Sequence, residues 1–78
     1  MQTQKISISM RALIQRINRV LAKDNEVLKK SRSSRTSLSV GEYFVLDIMK
    51  NFISRTQVDP EQLGRKLGVL KLYEEVGE

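Results

Sequence analysis

A helical repeat of apolar residues near the N-terminus is the feature that most constrains the fold. Six apolar residues recur at intervals of three and four and span an arc of about 120° on a helical wheel; they are Met10, Leu13, Ile14, Ile17, Val20 and Leu21. Ser9 precedes them and is suited to be the N-cap, and Asp24-Asn25 supplies turn-forming residues at the other end. The pattern predicts an amphipathic helix whose apolar face must be buried.

The periodicity changes from helical to alternating after residue 41. Residues 42–48 and 52–58 are rich in β-branched and aromatic side chains, and Lys50-Asn51 between them is suited to a turn. These segments predict a β-hairpin. Residues 26–31 are a candidate third strand, which we expect because an isolated two-stranded hairpin is only marginally stable.

A second helix is predicted to start at Asp59-Pro60. Asp59 is suited to be its N-cap, Pro60 to be its first helical residue, and Gly68 to end it.

Together the segments predict an α+β fold of order α-β-β-β-α, with two helices packed on one face of a three-stranded antiparallel sheet. Seventy-eight residues correspond to a single small domain spanning residues 1–78. We expect residues 1–8 and 71–78 to fray. The predicted core comprises Leu13, Ile14, Ile17, Leu21, Phe44, Leu46, Ile48, Leu63 and Leu67.

A basic segment, residues 29–35, carries four cations in seven positions, and no acid lies between Glu26 and Glu42. Residues 1–41 have a net charge of +7 and residues 42–78 a net charge of −2. Cations and hydroxyl groups are the side chains that bind phosphates, although such a loop can also be merely solvated. The candidate residues for binding an anionic partner are Lys29, Lys30, Arg32 and Arg35, with Arg16, Arg19 and Lys23 from the polar face of the first helix.

Three resemblances accompany these patterns. Residues 61–69 are similar to the first helix and turn of a bacterial helix-turn-helix, but residues 70–78 end in acids where that family has a basic recognition helix. The element order resembles the double-stranded-RNA-binding domain, whose second helix begins with lysines, whereas this one begins Asp59-Pro60-Glu61. Residues 9–19, 41–43 and 67–71 resemble small bacterial proteins, which implies a bacterial or mobile-element origin and no particular activity.

Composition argues against catalysis. The chain has no histidine and no cysteine, and its acids show no acid/base or metal-ligand spacing, so we expect no enzyme, no cofactor and no metal. No apolar run approaches the roughly 20 residues of a membrane span, and residues 1–5 lack the core of a signal peptide. We therefore expect a cytoplasmic protein without membrane contact.

The predicted function is a non-catalytic module that binds nucleic-acid phosphates through the basic segment, interpreted as the loop between the first two strands, and through one face of the first helix. Two alternatives remain open at the level of the sequence. One is an adaptor or inhibitor that docks on an acidic protein surface, and the other is a homodimer formed through an exposed strand edge.

Overall fold

Two helices and five strands form the described part of the chain, residues 5–32 and 40–77, in a computed structural model. The elements are β1 (Ile6–Ile8), α1 (Met10–Leu21), β2 (Glu26–Lys30), β3 (Tyr43–Asp47), β4 (Phe52–Arg55), α2 (Pro60–Leu67) and β5 (Glu74–Val76). The predicted α+β fold with a three-stranded antiparallel sheet, in the order β2-β3-β4, is confirmed. A short parallel pair, β1 with β5, was not predicted and extends the element order at both ends.

Helix α1 begins and ends as its sequence predicts. The Ser9 hydroxyl oxygen accepts a hydrogen bond from the Ala12 N–H at 3.1 Å. Leu13 and Ile17 are fully buried, which places the predicted apolar face in the core. After Leu21 a short 3₁₀ turn, Ala22–Asp24, leads to Asn25, whose positive φ of 59° reverses the chain into β2.

Helix α2 is bounded by the residues predicted to bound it. The Asp59 carboxylate accepts a hydrogen bond from the Glu61 N–H at 3.0 Å, and Pro60 occupies the first turn. Gly68 ends the helix with φ of 78°, a conformation that glycine adopts without steric cost. Leu63 joins α2 to the same core as α1.

The two faces of the antiparallel sheet are assigned by its register. Leu28 pairs with Val45 on the inner face, which packs against the helices, and both residues are almost fully buried. Lys29 pairs with Phe44, and Val27 with Leu46, on the opposite, outer face. Within the described residues, Val27, Phe44 and Leu46 neither belong to the core cluster nor pack against it.

The predicted core is therefore wrong in strand β3. Phe44 and Leu46 were expected inside, but Tyr43 and Val45 are the buried residues of this strand. Ile48, also predicted to be core, lies beyond the strand in the hairpin turn and is 56% exposed. Residues 43–46 are all apolar, so the sequence pattern alone does not tell whether the odd-numbered or the even-numbered side chains face inward. A shift of one residue in the strand register exchanges the two faces.

The side chain of Asn18 covers the free edge of β2. Its Oδ1 accepts a hydrogen bond from the Leu28 N–H at 2.7 Å, and its Nδ2 donates to the Leu28 carbonyl oxygen at 3.5 Å. A side-chain amide from α1 thus stands where a neighbouring strand would otherwise pair.

The parallel pair brings the two ends of the described chain together. Ile6 to Ile8 align with Glu74 to Val76, and Ile8 and Val76 pack against the core. These residues lie within the segments that we expected to fray. Among the described residues, no helix has the length and apolar character needed to cross a membrane.

Replacing Asn18 by Ala is expected to lower the free energy of unfolding by roughly 1–3 kcal/mol, because the buried Leu28 N–H loses its partner. Urea unfolding monitored by circular dichroism measures the change. Gln15→Ala, at an exposed position of the same helix, is the control and should leave the midpoint unchanged. Equal midpoints for the two variants would contradict this role of Asn18.

Gly41 and Gly68 form a matched pair for a second stability test. Both have a positive φ, 85° and 78°, so alanine at either position costs about 1–2 kcal/mol of backbone strain. A Cβ at Gly41 would also lie 2.7 Å from the Gln57 Cα, whereas a Cβ at Gly68 would meet nothing within 4 Å. Gly41→Ala should therefore destabilise the protein by about 1–3 kcal/mol more than Gly68→Ala in the same urea assay.

Candidate functional site

Three of the predicted binding residues line one groove on the outer face of the sheet. Lys29 and Lys30 come from the end of β2, and Arg32 follows shortly after it. The groove is open and shallow, with a volume of about 350 Å³, and its other lining residues are Ser31, Phe44 and Leu46. We call this surface the β2 groove; it combines cations with an apolar floor, and none of its lining residues in the described part of the chain is an acid.

Hydrogen bonds hold the backbone of the β2 groove in place beyond the end of the strand. The Ser31 N–H donates to the Glu42 carbonyl oxygen at 2.8 Å. The Ser31 hydroxyl donates to the Gly41 carbonyl oxygen at 2.6 Å. These bonds continue the pairing of β2 with β3, so Lys30 and Arg32 extend from a fixed backbone on either side of Ser31.

The cations of the β2 groove differ in their electrostatic environment. Lys30 lies 3.9 Å from the Glu42 carboxylate, but both side chains are more than 60% exposed, so this pair contributes at most about 1 kcal/mol. Lys29 and Arg32 are exposed and have no carboxylate within 4.0 Å in the described ranges, 5–32 and 40–77. Their charges are therefore available to an external anion.

The predicted cations of α1 lie elsewhere. Arg16 and Arg19 line a second groove of about 390 Å³, together with Val20, Gly68, Val69 and Lys71, and this groove shares no lining residue with the β2 groove. Lys23 lies exposed in the 3₁₀ turn after α1 and lines neither groove. Arg35 lies outside the described residues. The six predicted residues that the structure describes therefore do not form one continuous lining.

Arg16 has an intramolecular partner that the sequence pattern does not reveal. Its Nη1 donates to Glu74 Oε1 at 2.9 Å and to the Val69 carbonyl oxygen at 3.1 Å. The Glu74 side chain is only 9% exposed. A helical wheel identifies the polar side of a helix but not what folds against it, and here β5 occupies that side. Arg16, which was predicted to bind phosphate, also holds the C-terminal strand.

The Glu74 carboxylate is surrounded by hydrogen-bond donors. The bond from Arg16 is the main cause that lowers the pKa of Glu74 below its ordinary value of 4.5, and the bond from the Lys71 N–H lowers it further. Desolvation opposes these effects without reversing them. Arg65 completes the arrangement, because its guanidinium donates to the carbonyl oxygens of Lys71 and Glu74 at 3.1 Å each.

Glu74→Gln is expected to be less stable than the natural protein at neutral pH. A carboxyl with a lowered pKa stabilises the fold above its ordinary pKa, and that contribution is lost as the pH falls through 4.5 and then through the lowered value. The difference in urea midpoint between the two proteins should therefore narrow on acidification. Glu75→Gln, at the exposed neighbouring position, is the control. If the difference in urea midpoint between Glu74→Gln and the natural protein stays constant with pH, the ion pair is excluded as the cause of that difference.

A further groove, of about 400 Å³, lies at the start of α2. Its lining mixes the cations Arg55 and Lys66 with Asp59, whose carboxylate already caps the helix. The acid makes this groove less suited to a polyanion than the β2 groove.

Sequence reasoning assigned Phe44 to the core and so missed its place in the β2 groove. The sequence of the neighbouring strand does not decide the direction of Phe44 either. In β2 each parity combines one apolar residue with charge, Leu28 with Glu26 and Lys30 on one side and Val27 with Lys29 on the other, and only the structure shows that Leu28 is the buried one. Once Leu28 is taken as inward, the antiparallel register that pairs Lys29 with Phe44 places Phe44 outward.

Comparisons with known proteins do not assign the chain to a family, and the acidic side chains of the described residues do not indicate a metal site. No protein family, no curated protein and no solved structure matches the chain. Within residues 5–32 and 40–77, no three acidic side chains gather in a way that could hold a metal ion.

Proposed function

We propose that this protein is a non-catalytic module that binds nucleic acid through its phosphates at the β2 groove. The observation that supports the proposal is the set of three cations, Lys29, Lys30 and Arg32, around one groove whose described lining residues include no acid. Lys29 and Arg32 in addition have no carboxylate neighbour in the described part of the chain. An anionic ligand is the partner that this charge arrangement favours.

The mechanism would be charge neutralisation with release of counterions. The planar guanidinium of Arg32 can donate two parallel hydrogen bonds to a phosphate, and Lys29 supplies a compact charge next to it. The Ser31 hydroxyl already donates its hydrogen to the Gly41 carbonyl oxygen, so it has none to give to a phosphate oxygen while that bond is kept. Phosphate contacts of this kind carry no base information, and we expect weak sequence preference.

The cations of α1 would have a supporting role. Arg19 is exposed and lines the second groove with Lys71, and Lys23 is exposed beyond it. They raise the positive potential that attracts a polyanion over a distance, whereas Arg16 is committed to Glu74.

An acidic protein surface is the second candidate partner. The observation that favours a protein is the exposed apolar group at the β3–β4 turn, where Ile48, Met49 and Phe52 are 56%, 75% and 48% exposed. Such side chains can add contact area beside a charged interface.

Fluorescence anisotropy with a short labelled oligonucleotide tests the proposal. We expect binding at low salt that weakens steeply between about 50 and 200 mM salt. The double variant Lys29→Glu and Arg32→Glu should bind at least about tenfold more weakly at low salt and show a log–log salt slope smaller by about 1.4, the value for two lost contacts to a single strand.

The matched control is the double variant Lys5→Glu and Lys50→Glu, which changes the net charge by the same amount at two exposed positions outside the β2 groove. Equal weakening in both variants would indicate a general charge effect and contradict the β2 groove as the site. No binding to the oligonucleotide at low salt, with binding to a polyglutamate peptide instead, would exclude nucleic acid and favour the acidic protein surface.

A further inference from the structure

We infer that the β2 groove selects single-stranded nucleic acid, by stacking an unpaired base on the ring of Phe44 while Lys29 and Arg32 contact the adjoining phosphates. This inference rests on the proposed function and names its ligand class. The starting observation is that aromatic and apolar side chains, Phe44 and Leu46, also line the groove, although binding of phosphates alone does not require them.

Phe44 lies beside the cations because of the strand register. It is the direct cross-strand partner of Lys29, and it shares the groove lining with Arg32. The residue is half-buried, yet in the described chain it neither belongs to the core cluster nor packs against it. Its ring therefore contributes little to the core and shares a groove with two cations that suit phosphates.

Apolar side chains continue from Phe44 across the outer face. Val27, Leu46 and Ile53 are aligned by the register of all three strands, and Leu46 also lines the groove. Ile53 is 39% exposed, and Val27 and Leu46 are half-buried. A base is flat and apolar on its faces, so an aromatic ring next to an aliphatic row offers it a stacking surface with cations at the rim.

This chemistry favours an unpaired base over a duplex. The bases of a duplex are stacked on one another, so their faces are not accessible to Phe44, whereas a single strand can turn a base onto the sheet. The start of α2 carries the carboxylates of Asp59 and Glu61. Those carboxylates would repel a phosphate backbone.

Charge also argues against the other occupants of this face. In a two-fold dimer the same patch would meet its own copy, which brings Lys29 and Arg32 close to Lys29 and Arg32 of the second chain. An acidic peptide would satisfy the cations but has no flat base to place on Phe44. Among these ligands, only single-stranded nucleic acid matches both the charge and the aromatic floor.

The absence of tryptophan from the sequence makes a direct test possible. Phe44→Trp places the single tryptophan of the variant in the proposed stacking position, where its emission can be excited apart from the tyrosines, and Phe52→Trp, at the other phenylalanine of the chain, is the matched control outside the groove. Titration with oligothymidylate should quench the fluorescence of the Phe44→Trp variant and leave that of the Phe52→Trp variant nearly unchanged. Quenching in neither variant, although anisotropy shows binding, would overturn the inference.

A second measurement separates stacking from phosphate binding. Three ligands of equal length are compared by anisotropy: oligothymidylate, an abasic strand with the same phosphates, and a duplex. We expect oligothymidylate to bind most tightly, and Phe44→Leu to weaken its binding roughly 5- to 150-fold, the range for loss of one base–aromatic contact. Phe52→Leu should have no effect, and Phe44→Leu should leave the affinity for the abasic strand unchanged.

The outcomes distinguish this inference from the proposed function. If oligothymidylate and the abasic strand bind with equal affinity, and the double variant Lys29→Glu and Arg32→Glu abolishes binding of both, base stacking is overturned. Phosphate binding would then remain supported. Equal or tighter binding of the duplex would overturn the preference for single strands. Failure of all three ligands to bind at low salt would overturn both. Urea midpoints equal to that of the natural protein show that the Phe44 variants remain folded.

Discussion

The burial of Leu13 and Ile17 of α1 in one core with Val45 of β3 is the constraint on which the rest of the structure depends. These are the most deeply buried large side chains of the described chain, and removing a side chain of this kind from water stabilises a fold by about 1.5–3 kcal/mol. Because Val45 points toward α1, its neighbour Phe44 must point away. The packing that stabilises the domain therefore also creates its open, basic face.

The positive charges of the chain serve two different purposes. Arg16 and Arg65 hold the C-terminal strand through Glu74 and the carbonyl oxygens around it, so their hydrogen bonds are used within the protein. Lys29 and Arg32 have no such partner in the described ranges and stand at the rim of an apolar surface. A count of cations does not separate these roles; the position of a carboxylate relative to each cation does.

The elements of the fold were largely predictable because their determinants are local. Ser9 and Asp59 cap their helices with their own side chains, and the glycine that ends α2 and the asparagine in the hairpin turn adopt the positive φ that such residues tolerate. The pair β1–β5 was not predicted, because each strand has three residues and its partner lies almost at the other end of the chain. A segment this short becomes a strand only when the core brings its partner beside it.

The sequence by itself determined the helices, the three antiparallel strands and the concentration of positive charge in the N-terminal half. Tertiary structure alone decided that Phe44 faces outward beside Lys29, that Arg16 faces Glu74, and that Lys29, Lys30 and Arg32 line a different groove from Arg16 and Arg19. The physical reason is the same in each case. Capping, turn formation and amphipathic periodicity depend on neighbours within a few residues, whereas the inward face of an apolar strand and the partner of a charge depend on which distant segments pack together.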